Sequence, residues 1–128
     1  MRFTGALACG PAVQDELDHA DLFVLASKTE GLPRAMIEAM ARGLPCVGSA
    51  VGGIPELLPA EDMVPRGDAH ALAARLLTIL RDPERLSRMS ERNLQTARAY
   101  HDSVLDFRRN QFLAHLYRAT MEWRNPEK

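Results

Sequence analysis

The sequence predicts an α/β domain built on an open parallel sheet, with a mainly helical C-terminal third. Three observations carry that reading. Leu22-Phe-Val-Leu-Ala26 is an unbroken apolar run, as in a strand covered on both faces. A helical stretch from Pro33 to Arg42 and a second short apolar run, Cys46–Ser49, follow it. Such a strand–helix–strand unit is almost always a right-handed crossover to a parallel neighbour. From Asp68 onward, apolar residues recur at helical spacing behind two capping signals.

In chain order, Arg2-Phe-Thr4 reads as a short strand and Thr4-Gly5 as the start of a loop. Pro11 precedes a short helix over about 12–20, whose apolar face is Val13, Leu17 and Ala20. The strand at 22–26 leads to a loop holding Lys28, Thr29, Glu30 and Gly31. Pro33 suits the first position of the next helix, because its φ is pre-set and its missing N–H is not needed there. Gly43 can take the left-handed conformation that closes the helix, and Pro45 stops it continuing. After the strand at 46–49, Gly52-Gly53 permits a close backbone approach or a positive φ. Pro55–Leu58 makes one helical turn, and Glu61–Val64 a short edge strand. Asp68 caps a helix whose buried side holds Leu72, Leu76 and Leu80. Asp82-Pro83 opens a second helix through Leu86, Met89, Leu94 and Ala97. Asp102-Ser103 opens a third, long helix to about Trp123, with loose apolar spacing.

Composition bounds the answer. At 128 residues the chain is one domain, read as a sheet-and-helix core over 1–66 and a mainly helical part over 67–128. The net charge of −1 gives no sign of a nucleic-acid partner. Charge is uneven: residues 1–64 hold four Lys/Arg against nine Asp/Glu, and residues 65–128 hold twelve against eight. The basic C-terminal excess suits an acidic partner or a membrane surface, and equally a set of solvated helix faces. Cys9 and Cys46 have no metal-ligand spacing and are expected to be reduced and packed. His19, His70, His101 and His115 are scattered without metal spacing. With no secretion signal and no apolar run of membrane-spanning length, a cytoplasmic location is expected.

The candidate chemistry lies at 30–38. Glu30 and Gly31 sit just past the carboxyl end of a strand, where open parallel sheets bind ligands. Leu32 offers no side-chain oxygen to cap the helix that follows. The free N–H groups of its first turn therefore favour an anion. Glu38 shares a helical stripe with Arg34 and Arg42, spaced i, i+4 and i+8. A solvated stripe with weak ion pairs and a carboxylate that binds ligand hydroxyls both fit that pattern, and periodicity does not choose between them.

The stretch Glu30-Gly-Leu-Pro-Arg-Ala-Met-Ile-Glu38-Ala-Met-Ala-Arg-Gly-Leu-Pro-Cys-Val47 resembles the signature of retaining glycosyltransferases of family 4, "group 1", with the two-domain GT-B fold. The agreement extends to Met1–Gly5, Ala20–Ser27, Val51–Leu57 and Val64–Asp68, in the family's order. The resemblance implies a Rossmann-like, partial GT-B C-terminal domain that binds a nucleotide-diphosphate sugar. It implies that Glu30 is the catalytic-site carboxylate contacting sugar hydroxyls. It implies that Gly31, Leu32, Pro33 and Arg34 approach the sugar and diphosphate, and that Glu38 binds ribose hydroxyls. Gly52 and Gly53 would lie beside the donor. It implies that the sugar is transferred with retention, without a metal or other cofactor.

The family's N-terminal acceptor domain is not present in this sequence, nor is a Gly-Arg-Leu-x-x-x-Lys-Gly segment with the Arg and Lys that clamp the diphosphate. A donor-binding piece of a glycosyltransferase is therefore expected, inactive alone, with its missing domain supplied in trans or with self-association covering its apolar surface. The alternative is a non-catalytic nucleotide-binding or protein-interaction module on the same fold. A phosphoacceptor receiver domain would want an Asp where Ser27 stands, and the P-loop pattern is absent.

Overall fold

A computed structural model describes residues 2–8 and 10–124. Contacts divide the chain into two units, Met1–Ala97 and Arg98–Lys128. The first holds helix α1 (Pro11–Asp18), strand β1 (Phe23–Leu25), α2 (Arg34–Ala41), β2 (Cys46–Ser49), the single turn α3 (Ile54–Leu57), β3 (Met63–Val64), α4 (Ala69–Leu80) and nearly all of α5 (Pro83–Arg98). The second holds the long helix α6 (Asp102–Arg124).

The three strands form one parallel sheet in the order β1-β2-β3, with Phe23 opposite Cys46 and Gly48 opposite Met63. The Rossmann-like class read from the sequence is the observed one. Every residue of β2 is buried, because it has a strand on each side and helices on both faces. On one face, Val47 packs with Ile79 of α4 and Met89 of α5, joined by Leu22, Leu72, Leu76 and Leu86. Met36, Ala39 and Met40 of α2 and Ile54 of α3 are also fully buried. The methyl ends of Met36 and Ile54 close on Gly48, each 3.0 Å from where a Cβ would stand there.

Several boundaries differ from the sequence reading. Arg2–Thr4 is not a strand: those residues have no ladder partner and Phe3 is 82% exposed. Strand geometry is held by pairing, and no neighbouring strand is there to pair. Met1 and Cys9 lie outside the described residues. The apolar run at 22–26 is an edge strand rather than a fully covered one, and Val24 is 38% exposed. Central burial belongs to β2 instead. The expected strand at 61–64 is only Met63–Val64, preceded by a 3₁₀ turn at Ala60–Asp62.

Local signals held. Gly43 has φ +76° just past α2. The Asp68 carboxylate accepts from the Ala71 N–H at 2.8 Å, and that of Asp82 accepts from the Arg85 N–H at 2.9 Å.

A buried polar network braces the amino-terminal edge of the sheet. Asp62, fully buried, receives Arg85 at 2.9 Å and Arg92 at 2.6 Å. Asn93 of α5, also fully buried, donates to the Leu44 carbonyl at 2.7 Å, and Arg92 donates to the Asn93 side-chain oxygen at 3.1 Å. Cys46 lies in this network with its Sγ–H directed at the Leu44 carbonyl. Burial pushes its thiol pKa up to about 12.

Candidate functional site

The opposite, carboxyl edge of the sheet carries the residues singled out by sequence. The chain leaves β1 through Ala26 and Ser27, and the Ser27 hydroxyl donates to Glu30 Oε1 at 2.5 Å. That bond holds a half-buried carboxylate at the strand end. The chain leaves β2 toward Gly52 and Gly53, and this turn packs directly on the Glu30 loop. The Gly53 N–H donates to the Gly31 carbonyl at 2.7 Å. Gly52 has φ +53°, and a Cβ there would stand 1.9 Å from the Glu30 carbonyl oxygen. A Cβ on Gly53 would stand 2.7 Å from the Gly31 carbonyl oxygen. Both glycines are thus required by the close approach of two loops. Gly31 itself faces open space.

Pro33 stands one place earlier than expected. It is the N-cap of α2, with φ −75° and ψ 105°, and its carbonyl accepts from Met36 and Ile37. Its extended ψ keeps it outside the helix, and lacking an N–H it offers no amide to a ligand. No side chain caps this end. The donors left over are the Arg34 and Ala35 N–H groups, which have no partner among the described residues. By contrast, α4 has its end closed by Asp68. Leu32 is 42% exposed and Arg34 is exposed, and Arg34 makes no ion pair among the described residues.

Glu38 lies one turn further along α2, exposed. It lines a cleft of about 320 Å³ with Gly10, Gln14, Leu17, Ala41 and Arg42, between α1 and α2. The charged stripe does not pair with itself. Arg42 turns to Asp18 of α1, and Glu38 has no ion pair among the described residues. The structure therefore brings Glu30, Gly31, Gly52 and Gly53 together, and sets Glu38 in a separate cleft. A smaller cavity of about 140 Å³ opens where all three strands end, bounded by Ala26, Ser49, Val64, Pro65, Asp68 and Leu72 among others.

Sequence reasoning missed Ser27 as a partner of Glu30, although its place at the end of the apolar run was a usable signal. It also missed Arg66, whose guanidinium donates to the Lys28 carbonyl at 3.4 Å and so ties the loop after β3 to the loop after β1. Nothing local marks that contact. Among the described residues, no group of three or more His, Cys, Asp or Glu side chains could hold a metal ion. No helix among them is long and apolar enough to cross a membrane.

The sequence pattern of the family described as "Glycosyl transferases group 1" matches residues 1–82. The chain belongs to that family. The amylovoran biosynthesis glycosyltransferase AmsK of Erwinia amylovora is 50% identical over 72 residues, covering 49% of this chain and 18% of AmsK. Solved structures share this chain's fold. Sucrose-phosphate synthase from Thermosynechococcus elongatus matches with a TM-score of 0.73 and 30% identity, over 81% of this chain and 27% of that one. Anabaena HepE, solved in complex with UDP, matches with a TM-score of 0.67 and 23% identity, over 81% of this chain and 29% of that one. The chain thus spans less than a third of the length of each of these proteins.

Proposed function

We propose that this chain is the donor-binding part of a group 1 glycosyltransferase and takes a nucleotide-diphosphate sugar at the carboxyl edge of its sheet. The observation that carries the reading is the pairing of a held carboxylate with an uncapped helix end. Ser27 fixes Glu30 at the strand terminus, four residues before a helix whose first N–H groups have no partner among the described residues. A carboxylate is a bidentate acceptor for a sugar diol. A helix N-terminus stabilises the negative charge that grows on a leaving diphosphate. Glu30 is assigned to the sugar hydroxyls. The Arg34 and Ala35 amides, with Gly31 and Leu32 beside them, are assigned to the diphosphate. Glu38 is assigned to the ribose hydroxyls, since its carboxylate makes no ion pair among the described residues and lines a cleft. Gly52 and Gly53 hold the Glu30 loop in place.

In this assignment the α2 terminus supplies the positive potential at the diphosphate, and no divalent metal takes part in binding. Transfer proceeds with retention at the anomeric carbon. The relatives are several times longer, so the 128-residue chain binds donor and does not turn it over by itself. Calorimetric titration with UDP, GDP and ADP tests the reading. Saturable binding of one nucleotide, weakened by Glu38→Ala, is expected. No binding by a folded chain would sink it and favour a non-catalytic interaction module.

A further inference from the structure

The cavity of about 140 Å³ at the carboxyl ends of the three strands takes no part in the donor reading. Ser49, the last residue of β2, lines it and is only 2% exposed. Side chains two residues apart on a strand share a face. Val47 packs against α4 and α5, so the Ser49 hydroxyl points to that same side, under the start of α4. Three polar side chains are buried among the described residues: Ser49, Asp62 and Asn93. Asp62 and Asn93 are hydrogen-bonded, and Ser49 has no partner among the described residues. Buried hydroxyls are ordinarily paired, because burial strips away the water that would otherwise bond them.

Asp68 stands at the rim of the same cavity. Its Oδ1 accepts from the Ala71 N–H, and its Oδ2 has no partner among the described residues. Val64, Ala69 and Leu72 make apolar walls between the two polar groups.

Size, charge and polarity together define what fits. The space equals roughly four or five waters at about 30 Å³ each. That is well under the ~300 Å³ at which sites for larger ligands begin, so a nucleotide is too big and one face of a single ring is not. The Asp68 carboxylate opposes an anion. Its charge is already met by an amide and by the positive end of α4, so it gives no strong pull on a cation. A wholly apolar ligand would leave Ser49 unpaired. A neutral ring with apolar C–H faces and hydroxyls at its edge meets all three conditions.

We propose that this cavity binds one neutral sugar ring. Its C–H face lies on Val64 and Leu72, one hydroxyl pairs with Ser49 Oγ, and another donates to Asp68. The inference rests on the cavity and not on the donor-site reading.

Two-dimensional NMR of the isotope-labelled 128-residue chain tests it, by titration with the methyl α-glycosides of glucose, galactose and mannose. Saturable shifts at the Ser49, Ala69 and Leu72 amides are expected with one of them, in the millimolar range that roughly a dozen heavy atoms supply. Ser49→Ala should weaken binding about fivefold, the effect of one lost hydrogen bond. Its melting temperature should not fall, because the hydroxyl it removes has no partner in the fold. Asp68→Ser keeps a capping oxygen for α4 and should weaken binding by a similar factor. No saturable shift at these amides overturns the proposal. So does a Ser49→Ala chain that melts lower yet binds as before, which would make the hydroxyl structural. Equal shifts from glycerol at the same concentrations would show that any small polyol enters, and displacement of the glycoside by UDP, GDP or ADP would place it in the donor site. Either result overturns a separate sugar site. Failure of nucleotide binding alone would bear only on the donor-site reading.

Discussion

Ser27 shows how much a single hydroxyl can decide. Its 2.5 Å hydrogen bond fixes which way the Glu30 carboxylate points, and Glu30 itself sits in a loop with no strand to hold it. Removing the hydroxyl frees the carboxylate to sample other rotamers. Ser27→Ala is expected to weaken binding of a sugar nucleotide by about fivefold, the effect of one lost hydrogen bond of ~1 kcal/mol. Binding of the bare nucleoside diphosphate should stay unchanged, since Glu30 is assigned to the sugar. Equal losses for both ligands would show that Ser27 supports the whole loop instead. At the other edge of the sheet, Cys46 is held as a neutral thiol. Burial raises its pKa from an ordinary 9.0 to about 12. The sign of the linkage follows: the folded state keeps the proton after the unfolded chain has lost it. That stability is fully present below pH 9 and is lost as pH climbs toward 12. Cys46→Ser, which removes this thiol, should flatten the alkaline limb of a stability-against-pH curve. The intact thiol should resist alkylation until the chain unfolds.

At the scale of elements, what was legible in the sequence was what local chemistry decides. Asp68 and Asp82 cap the helices that follow them, and Gly43 closes α2, because each acts within three or four residues of itself. The apolar run at 22–26 was correctly a strand, but it lies at the sheet edge and is less covered than the run suggested. Edge or centre depends on how many neighbours pair with it, which no local pattern records. The strand expected at 2–4 failed for the same reason. The candidate site divides in the same way. The Glu30 loop and the Gly52-Gly53 turn were each visible, but their contact joins residues more than twenty positions apart. Asp62 is the clearest loss. It reads as an acidic residue of a short edge strand, yet it is fully buried beneath two arginines of α5. Breaking a buried pair from one side strands the opposite charge. Asp62→Ala is expected to cost about 3–5 kcal/mol, read as a lowered denaturant midpoint. A change within a few tenths of a kcal/mol would show that water reaches Arg85 and Arg92 freely.

At the scale of the whole first unit, the two edges of the sheet do different work. The amino-terminal edge concentrates buried polar groups around Asp62 and Asn93, whose hydrogen bonds lock α5 to the strands, while the Arg92 Nε stays without a partner among the described residues. Toward the carboxyl edge, among the described residues, the first amides of α2 have no partner and Glu38, one turn into that helix, makes no ion pair. A chain that spends its polar partners at one edge and withholds them at the other is arranged to receive something at the second. The separation predicts that stability and binding come apart. A ligand that binds only the folded state raises its stability by RT ln(1 + [L]/Kd), about 2.7 kcal/mol at a hundredfold excess over Kd. The matching nucleoside diphosphate should therefore raise the melting temperature of the chain. Glu38→Ala should reduce that rise while leaving the ligand-free melting temperature unchanged, because Glu38 is exposed and makes no ion pair among the described residues. Chelation with EDTA should leave the rise intact, since the α2 terminus supplies the positive end that the diphosphate needs. A melting shift that vanishes with EDTA would mean that a metal ion carries the diphosphate, and the uncapped end of α2 would then need another explanation.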